Sequence, residues 1–150
     1  MEIIAYQHKY QPDFYRLNVA WLDKYNLTES HDLEILSDPE GMIIEKGGFI
    51  WLAKVDDDIV GSAALIKETD KVFELAKMAV DDEHKGKGIS KLLIETCINK
   101  AKQVGASKLE LFSNHQLKTA LSLYKKYGFE HIDVTDSPFE TADVKMEMTL

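Results

Sequence analysis

Residues 49–80 carry three apolar, β-rich runs whose connections are too short for anything but chain reversal. The runs are Phe49–Val55, Ile59–Lys67 and Val72–Val80. Asp56-Asp57-Asp58 leaves room only for a tight hairpin between the first two. Parallel neighbours need crossovers of about a dozen residues or more, so these strands are expected to form an antiparallel meander. A chain built around it is not a pure βαβ repeat.

The flanking segments alternate between helix and strand. Glu2–Tyr6 alternates weakly, as an edge strand does. Phe14, Leu17, Ala20, Trp21 and Tyr25 recur at helical spacing between Pro12 and Tyr25, with Pro12 tolerated in the first turn. A shorter helix begins at Ser30, which is expected to cap it, and Pro39 interrupts that helix or starts a third. Gly47-Gly48 breaks the chain before the meander. After it, Ile89, Leu92, Leu93, Cys97, Ala101 and Val104 share one face of a helix over Ile89–Val104, stopped by Gly105. Lys108–Phe112 reads as strand and Leu117–Tyr127 as helix ended by Gly128. Phe129–Val134 and Val144–Thr149 read as closing strands. The expected class is mixed α/β of the α+β kind.

Charge and composition exclude several functions. At 150 residues the chain is expected to form one domain, 1–150, with a real core. A net charge of −8 argues against a general nucleic-acid binder, which carries a basic stripe. The single cysteine, Cys97, has no partner for an intrachain disulfide. His8, His31, His84, His115 and His131 are scattered without metal-ligand spacing, so no metal is expected. Met1–Tyr10 lacks the pattern of a signal peptide, and no apolar stretch approaches the ~20 residues that span a membrane. A cytoplasmic protein without membrane association is expected.

The junction Glu83-His-Lys-Gly-Lys-Gly-Ile-Ser90 puts two lysines and two glycines between the last strand of the meander and the following helix. Glycines let backbone N–H groups approach an anion closely, and a helix N-terminus favours one, so the stretch suits a phosphate. Gly86 and Gly88 are too close together for a Walker-type loop. A dinucleotide fingerprint needs a third glycine where Lys91 stands, although Glu110 lies where a ribose-binding acid would. The antiparallel meander also disfavours that design, leaving a nicotinamide-dependent oxidoreductase as a remote alternative.

The run Glu74–Leu93, ELAKMAVDDEHKGKGISKLL, resembles the cofactor motif of the GNAT-type N-acetyltransferases. In that family a strand ends near [QR]-x-x-G-x-[GA] and a helix follows. Here Lys85 stands for the Arg/Gln and Ser90 for the last small residue. Asn114–Phe129, NHQLKTALSLYKKYGF, resembles the family's A-x-x-L-Y-x-K-x-G-F block through Ala120, Leu123, Tyr124, Lys126, Gly128 and Phe129. Leu117 stands where an asparagine is common. The element order agrees over nearly the whole chain.

The resemblance implies a mostly antiparallel central sheet, helices on both faces and a splayed parallel strand pair. It implies acetyl-CoA as cosubstrate, with its pyrophosphate on Lys85, Gly86, Lys87, Gly88, Ile89 and Ser90. The pantetheine arm would lie along the backbone of Met78, Ala79 and Val80, with Asn114 as a further contact. Tyr124 would act as the general acid toward the departing thiol. Glu74 would be the general base: strand alternation sets it beside Val72, Ala76, Met78 and Val80, where desolvation raises its pKa. Glu74 could instead sit at the wet mouth of the sheet or pair with Lys77 or Lys71. The acceptor would be a small-molecule or peptide amine, held between the early helices and the loop before the last strand. Glu29, Asp32, Glu34, Asp38 and Glu40 on one side, and Glu140 and Asp143 on the other, would favour a cation. A non-enzymatic acyl-CoA sensor would keep the phosphate loop alone. Both a monomer and a homodimer are compatible with the sequence.

Overall fold

The computed structural model describes residues 1–135 and 137–150. Its centre is a seven-stranded sheet in the spatial order β1-β2-β3-β4-β5-β7-β6. β1 (Glu2–Ala5), β2 (Phe49–Val55), β3 (Asp58–Lys67) and β4 (Val72–Val80) form the expected antiparallel meander behind the edge strand. β4 and β5 (Lys108–Ser113) run parallel, and β5, β7 (Val144–Thr149) and β6 (Glu130–Ile132) return to antiparallel pairing. The hairpin between β2 and β3 closes on the Val55–Asp58 pair, with Asp56 in the left-handed region at φ 55°.

Four α-helices cover both faces: α1 (Gln11–Lys24), α2 (Ser30–Ser37), α3 (Ile89–Gln103) and α4 (Lys118–Lys126). On one face Phe14 and Leu17 of α1, with Ile35 and Leu36 of α2, bury against Leu52, Ile59, Ala64 and Ala79. On the other, Leu93, Ile94, Cys97 and Ala101 of α3 bury against Ala63, Leu65, Phe73 and Leu75, and Leu109, Leu111 and Met146 extend this core. Each fully buried aliphatic or aromatic side chain contributes about 1.5–3 kcal/mol, so the two cores fix the sheet between its helical layers.

Local details depart from the expected boundaries. The cap of α2 is Glu29, not Ser30: Glu29 is extended, and its N–H donates to the Asp32 carboxylate at 2.9 Å. After Pro39 the chain makes a third, short helical element, a π-helical turn over Glu40–Ile44. β6 ends at Ile132 rather than Val134, because it is an outer strand with β7 as its partner and Val134 faces solvent.

The departure with most consequence lies inside β4. Its register with β3 runs Ile66–Glu74, Leu65–Leu75 and Ala64–Ala76, then resumes at Ser62–Ala79. Lys77 and Met78 therefore oppose Ala63 alone, a β-bulge, and Lys77 takes φ 51°. One extra residue reverses the side-chain parity beyond it. Met78 and Val80 consequently pack into the α3 core with Phe73 and Leu75. Glu74 does not share a face with Met78 and Val80 as plain alternation suggests. A buried polar chain holds the bulge: Asn18 Nδ2 donates to Ser62 Oγ at 2.9 Å, and Ser62 Oγ donates to the Lys77 carbonyl at 2.8 Å. Asn18 Nδ2 also donates to the Phe14 carbonyl at 2.9 Å.

Candidate active site

β4 and β5 pair at Val72–Lys108, Phe73–Leu109 and Glu74–Glu110, and then part. Beyond Glu74, no strand among the described residues pairs with β4 on that side, so the expected wedge is present. Backbone polar groups left free along such an edge can bond an extended ligand. A groove of about 640 Å³ follows Met78, Ala79 and Val80, passes Leu123 and Tyr124 of α4, and ends at Lys85, Gly86, Gly88, Ile89 and Ser90. Lys87 stands exposed on the same loop.

Gly86 and Gly88 have φ 76° and 80°, where an L-residue costs roughly 1–2 kcal/mol. A β-carbon at either would meet nothing within 4 Å. Conformation, not crowding, demands these glycines, and they leave the loop surface bare. The first N–H groups of α3 have no intrahelical acceptor, and the helix dipole adds positive potential there. The loop thus fits an anionic phosphate group. Lys85 is held by Asp82 at 2.7 Å and lies 4.6 Å from the Trp21 ring.

A smaller cleft of about 130 Å³ adjoins the groove. Asn18 and Trp21 of α1, Asp32 of α2, Glu74 and Lys77 of β4, and Phe139 line it. The segment 137–142 closes it from one side. Glu29 ties that segment down by accepting the N–H groups of Glu140 and Thr141, each at 3.0 Å, and the Thr141 hydroxyl. Tyr124 and Met78 line both cleft and groove. Asn114 lines the cleft rather than the groove. Its amide donates to the Thr141 carbonyl at 2.7 Å and accepts the Gln116 N–H at 3.0 Å, so it latches the same segment.

Residues 5–129 match the model of the acetyltransferase (GNAT) family. The chain belongs to the GNAT acetyltransferase family. It is 32% identical over 114 residues to an uncharacterized N-acetyltransferase of Bacillus subtilis, YvbK, covering 74% of this chain and 73% of that protein. It is 31% identical over 91 residues to human N-acetyltransferase 8B, of which it spans 40%. Among solved structures, a GNAT acetyltransferase of Staphylococcus aureus Mu50 superimposes with a TM-score of 0.90 at 23% identity, covering 99% of this chain and 98% of that one. A PaiA N-acetyltransferase of Thermoplasma acidophilum, solved in complex with coenzyme A, superimposes with a TM-score of 0.75 at 19% identity over 100% of both chains.

As a GNAT protein the chain is an acetyl-CoA-dependent N-acetyltransferase, and neither the oxidoreductase nor the sensor alternative is supported. Among the described residues the sheet has one parallel strand pair, β4–β5, and no doubly wound parallel half for a dinucleotide. Within the GNAT frame the two ionisable candidates differ sharply. Burial pushes the Tyr124 hydroxyl up to about 12, with Cys97 adding to the shift, so it stays protonated through the neutral range. Its O–H points to Met78 Sδ at 3.8 Å, and its ring meets Phe129 edge-on at 5.9 Å. Cys97 is fully buried and its thiol is pushed up to about 12, which makes it a poor nucleophile. Glu74 is 6% exposed, and burial, then the neighbouring Glu68 carboxyl, raises it to about 8.

Lys77 does not neutralise Glu74 by pairing with it. Its ammonium bonds Asp32 at 2.6 Å, both side chains being less than a tenth exposed, and sits 4.9 Å from the Phe139 ring. The anticipated acidic walls are largely committed elsewhere. Glu29 holds the 137–142 segment, Glu40 accepts from Tyr6 at 2.6 Å and contacts His8 at 2.7 Å, and Asp143 pairs with His115. Asp38 accepts the Gly41 N–H at 3.1 Å. Helical spacing marks Trp21 as core, although it reaches both cavities; Lys77 and Phe139 carry no local signal of their place in the cleft.

Proposed function

We propose that residues 1–150 act as one catalytic domain that moves the acetyl group of acetyl-CoA onto a small primary amine by direct attack, with both substrates bound at once. The observation that carries this reading is that groove and cleft meet at Tyr124 and Met78. A thioester at the end of the groove would face an amine in the cleft there, at the effective concentration that direct transfer requires.

Acetyl-CoA supplies the activated acetyl group; the chain supplies position and proton transfer. Lys85, Gly86, Lys87, Gly88, Ile89 and Ser90 hold the pyrophosphate, and the backbone of Met78, Ala79 and Val80 holds the pantetheine arm. Asn114 keeps Thr141 over the cleft. Glu74 takes a proton from the acceptor nitrogen, and Tyr124 donates one toward the departing sulfur. All these residues come from one chain, so the reading needs no dimer. We place the protein in the cytoplasm, where acetyl-CoA is available.

The cleft's small volume, closed by 137–142, favours a small-molecule amine over a peptide. Asp32 and Lys77 cancel one another, which leaves Glu74 as the cleft's charged group toward the acceptor, so size and hydrogen bonding select the amine more than the acidic walls do. The test is an acetylation screen of a primary-amine library, with thermal-shift measurements on coenzyme A, acetyl-CoA and NAD. Stabilisation by the first two and acetylation of a compact amine are expected. Stabilisation by NAD alone would overturn the reading.

A further inference from the structure

We infer that Glu68 and Glu74 form a two-carboxyl outlet that carries the proton released by the acceptor amine from the cleft to solvent. The inference rests on the proposed role of Glu74 as proton acceptor and adds the route by which that proton leaves.

Sheet register places the two side chains together. Glu74 on β4 opposes Ile66 on β3. Glu68 lies two residues beyond Ile66, with its N–H bonded to the Val72 carbonyl at 2.9 Å. It therefore shares the face of Glu74 as a diagonal neighbour across the strand pair, a spacing that long side chains bridge. On that face the Glu68 carboxyl is the charged neighbour that bears most on Glu74. Glu74 lines the cleft and is buried, whereas Glu68 is exposed. One end of the pair faces the reaction and the other faces water.

The other charged groups around Glu74 are already engaged. Lys77 is held by Asp32 at 2.6 Å. Glu110, directly opposite on β5, lies 3.7 Å from Lys145, and Glu147 beyond it lies 3.3 Å from Lys108. The lysines next to Glu68 turn away, Lys67 to Asp70 at 2.9 Å and Lys71 to the Gly105 carbonyl at 3.3 Å. Glu68 is thus the neighbour of Glu74 that combines an uncompensated carboxylate with open access to solvent.

The proton balance is simple. The acceptor ammonium loses one N–H bond, and the Glu74 carboxylate gains one O–H. Glu74 then passes that proton to the Glu68 carboxylate and returns to its ionised form, and Glu68 releases the proton to water. A neighbouring carboxylate disfavours ionisation of Glu74, and carboxyls that interact release their protons in shared steps.

The test compares Glu68→Gln, which keeps a hydrogen-bonding side chain, with Glu74→Gln. Carbon-13 NMR of labelled glutamate side chains should show Glu74 titrating in two steps in the unaltered protein. In Glu68→Gln it should titrate in one step, displaced toward acid. Acetylation of a pooled primary-amine library at low buffer concentration should fall about tenfold in kcat for Glu68→Gln, with KM for acetyl-CoA unchanged. Added formate or imidazole should restore it by replacing the lost outlet. An unchanged Glu74 titration, an unchanged rate, or a lost rate that buffer does not restore overturns the outlet. If Glu74→Gln also leaves the pH–rate profile unaltered, it is the base role of Glu74 that fails.

Discussion

The Tyr124 hydroxyl lies 3.8 Å from Met78 Sδ, at the boundary shared by the groove along β4 and the cleft beneath residues 137–142. The contact exists because the bulge at Lys77–Met78 turns Met78 toward the α3 and α4 side of the sheet. A tyrosine without a strong hydrogen-bond partner, at the meeting point of two cavities, is available to a reacting sulfur. Tyr124→Phe keeps the ring against Phe129 and removes the donor. Turnover should fall by ~100-fold while acetyl-CoA affinity barely moves. Steady-state rates together with calorimetry check this, and near-normal turnover would make Tyr124 a packing residue only.

Glu74 should leave a signature in stability as well as rate. Its folded-state pKa of about 8 lies above the ordinary carboxyl value, so the folded chain holds the proton more tightly than the unfolded one. The stability this contributes is complete below about pH 4.5 and is lost as pH rises through about 8. Glu74→Gln removes that loss. Its melting temperature should gain on the unaltered protein between pH 5 and pH 9, at roughly 2–4 °C per kcal/mol for a chain of this size. A constant difference across that range would show that Glu74 titrates normally.

The Asp32–Lys77 pair is buried on both sides, so removing one partner strands a charge. Asp32→Asn should destabilise by about 3–5 kcal/mol in urea unfolding. Adding Lys77→Met should recover most of the loss, because the burial penalty disappears with the charge. If the double variant is no more stable than Asp32→Asn, the loss does not come from a stranded Lys77 charge.

At Gly88, Asn and Asp have the same shape but differ in charge, and Asn tolerates the left-handed backbone better than most residues. Gly88→Asn should bind coenzyme A with a modest loss, whereas Gly88→Asp should lose more than about tenfold because its carboxylate opposes the phosphates. Calorimetry on the two variants separates charge from strain. Equal affinities would remove the loop from the pyrophosphate site.

Acceptor choice should be only weakly sensitive to salt. Exposed charges are screened beyond ~8–10 Å at physiological ionic strength, but Asp32 and Lys77 already neutralise each other at 2.6 Å and the remaining carboxyl, Glu74, is buried from salt. Acetylation rates for compact cationic and zwitterionic amines should keep their ranking between low and high salt. A cation preference that collapses with salt would restore the acidic walls as the selecting element.

Sequence by itself determined the meander, the order of elements and the glycine loop before α3, because each depends on short-range constraints. A connector as short as Asp56-Asp57 permits only a hairpin, and a left-handed φ at Gly86 and Gly88 is a local demand. The motif around Tyr124 was legible for the same reason, lying within one helix and its flanking turn. The faces of β4 were not legible. Alternation places Glu74 with Met78 and Val80, but the register with β3 inserts one residue at Lys77 and reverses every side chain beyond it. At that bulge the displaced Lys77 carbonyl is satisfied by Ser62, 15 positions away (77 − 62), whose hydroxyl is held in turn by Asn18, 59 positions away (77 − 18). Asp32 and Lys77 meet across 45 positions, and Glu29 and Thr141 across 112. Tertiary structure alone decided these pairings, because a buried charge or carbonyl takes whichever partner the packed layers bring within reach, and no local pattern encodes that distance.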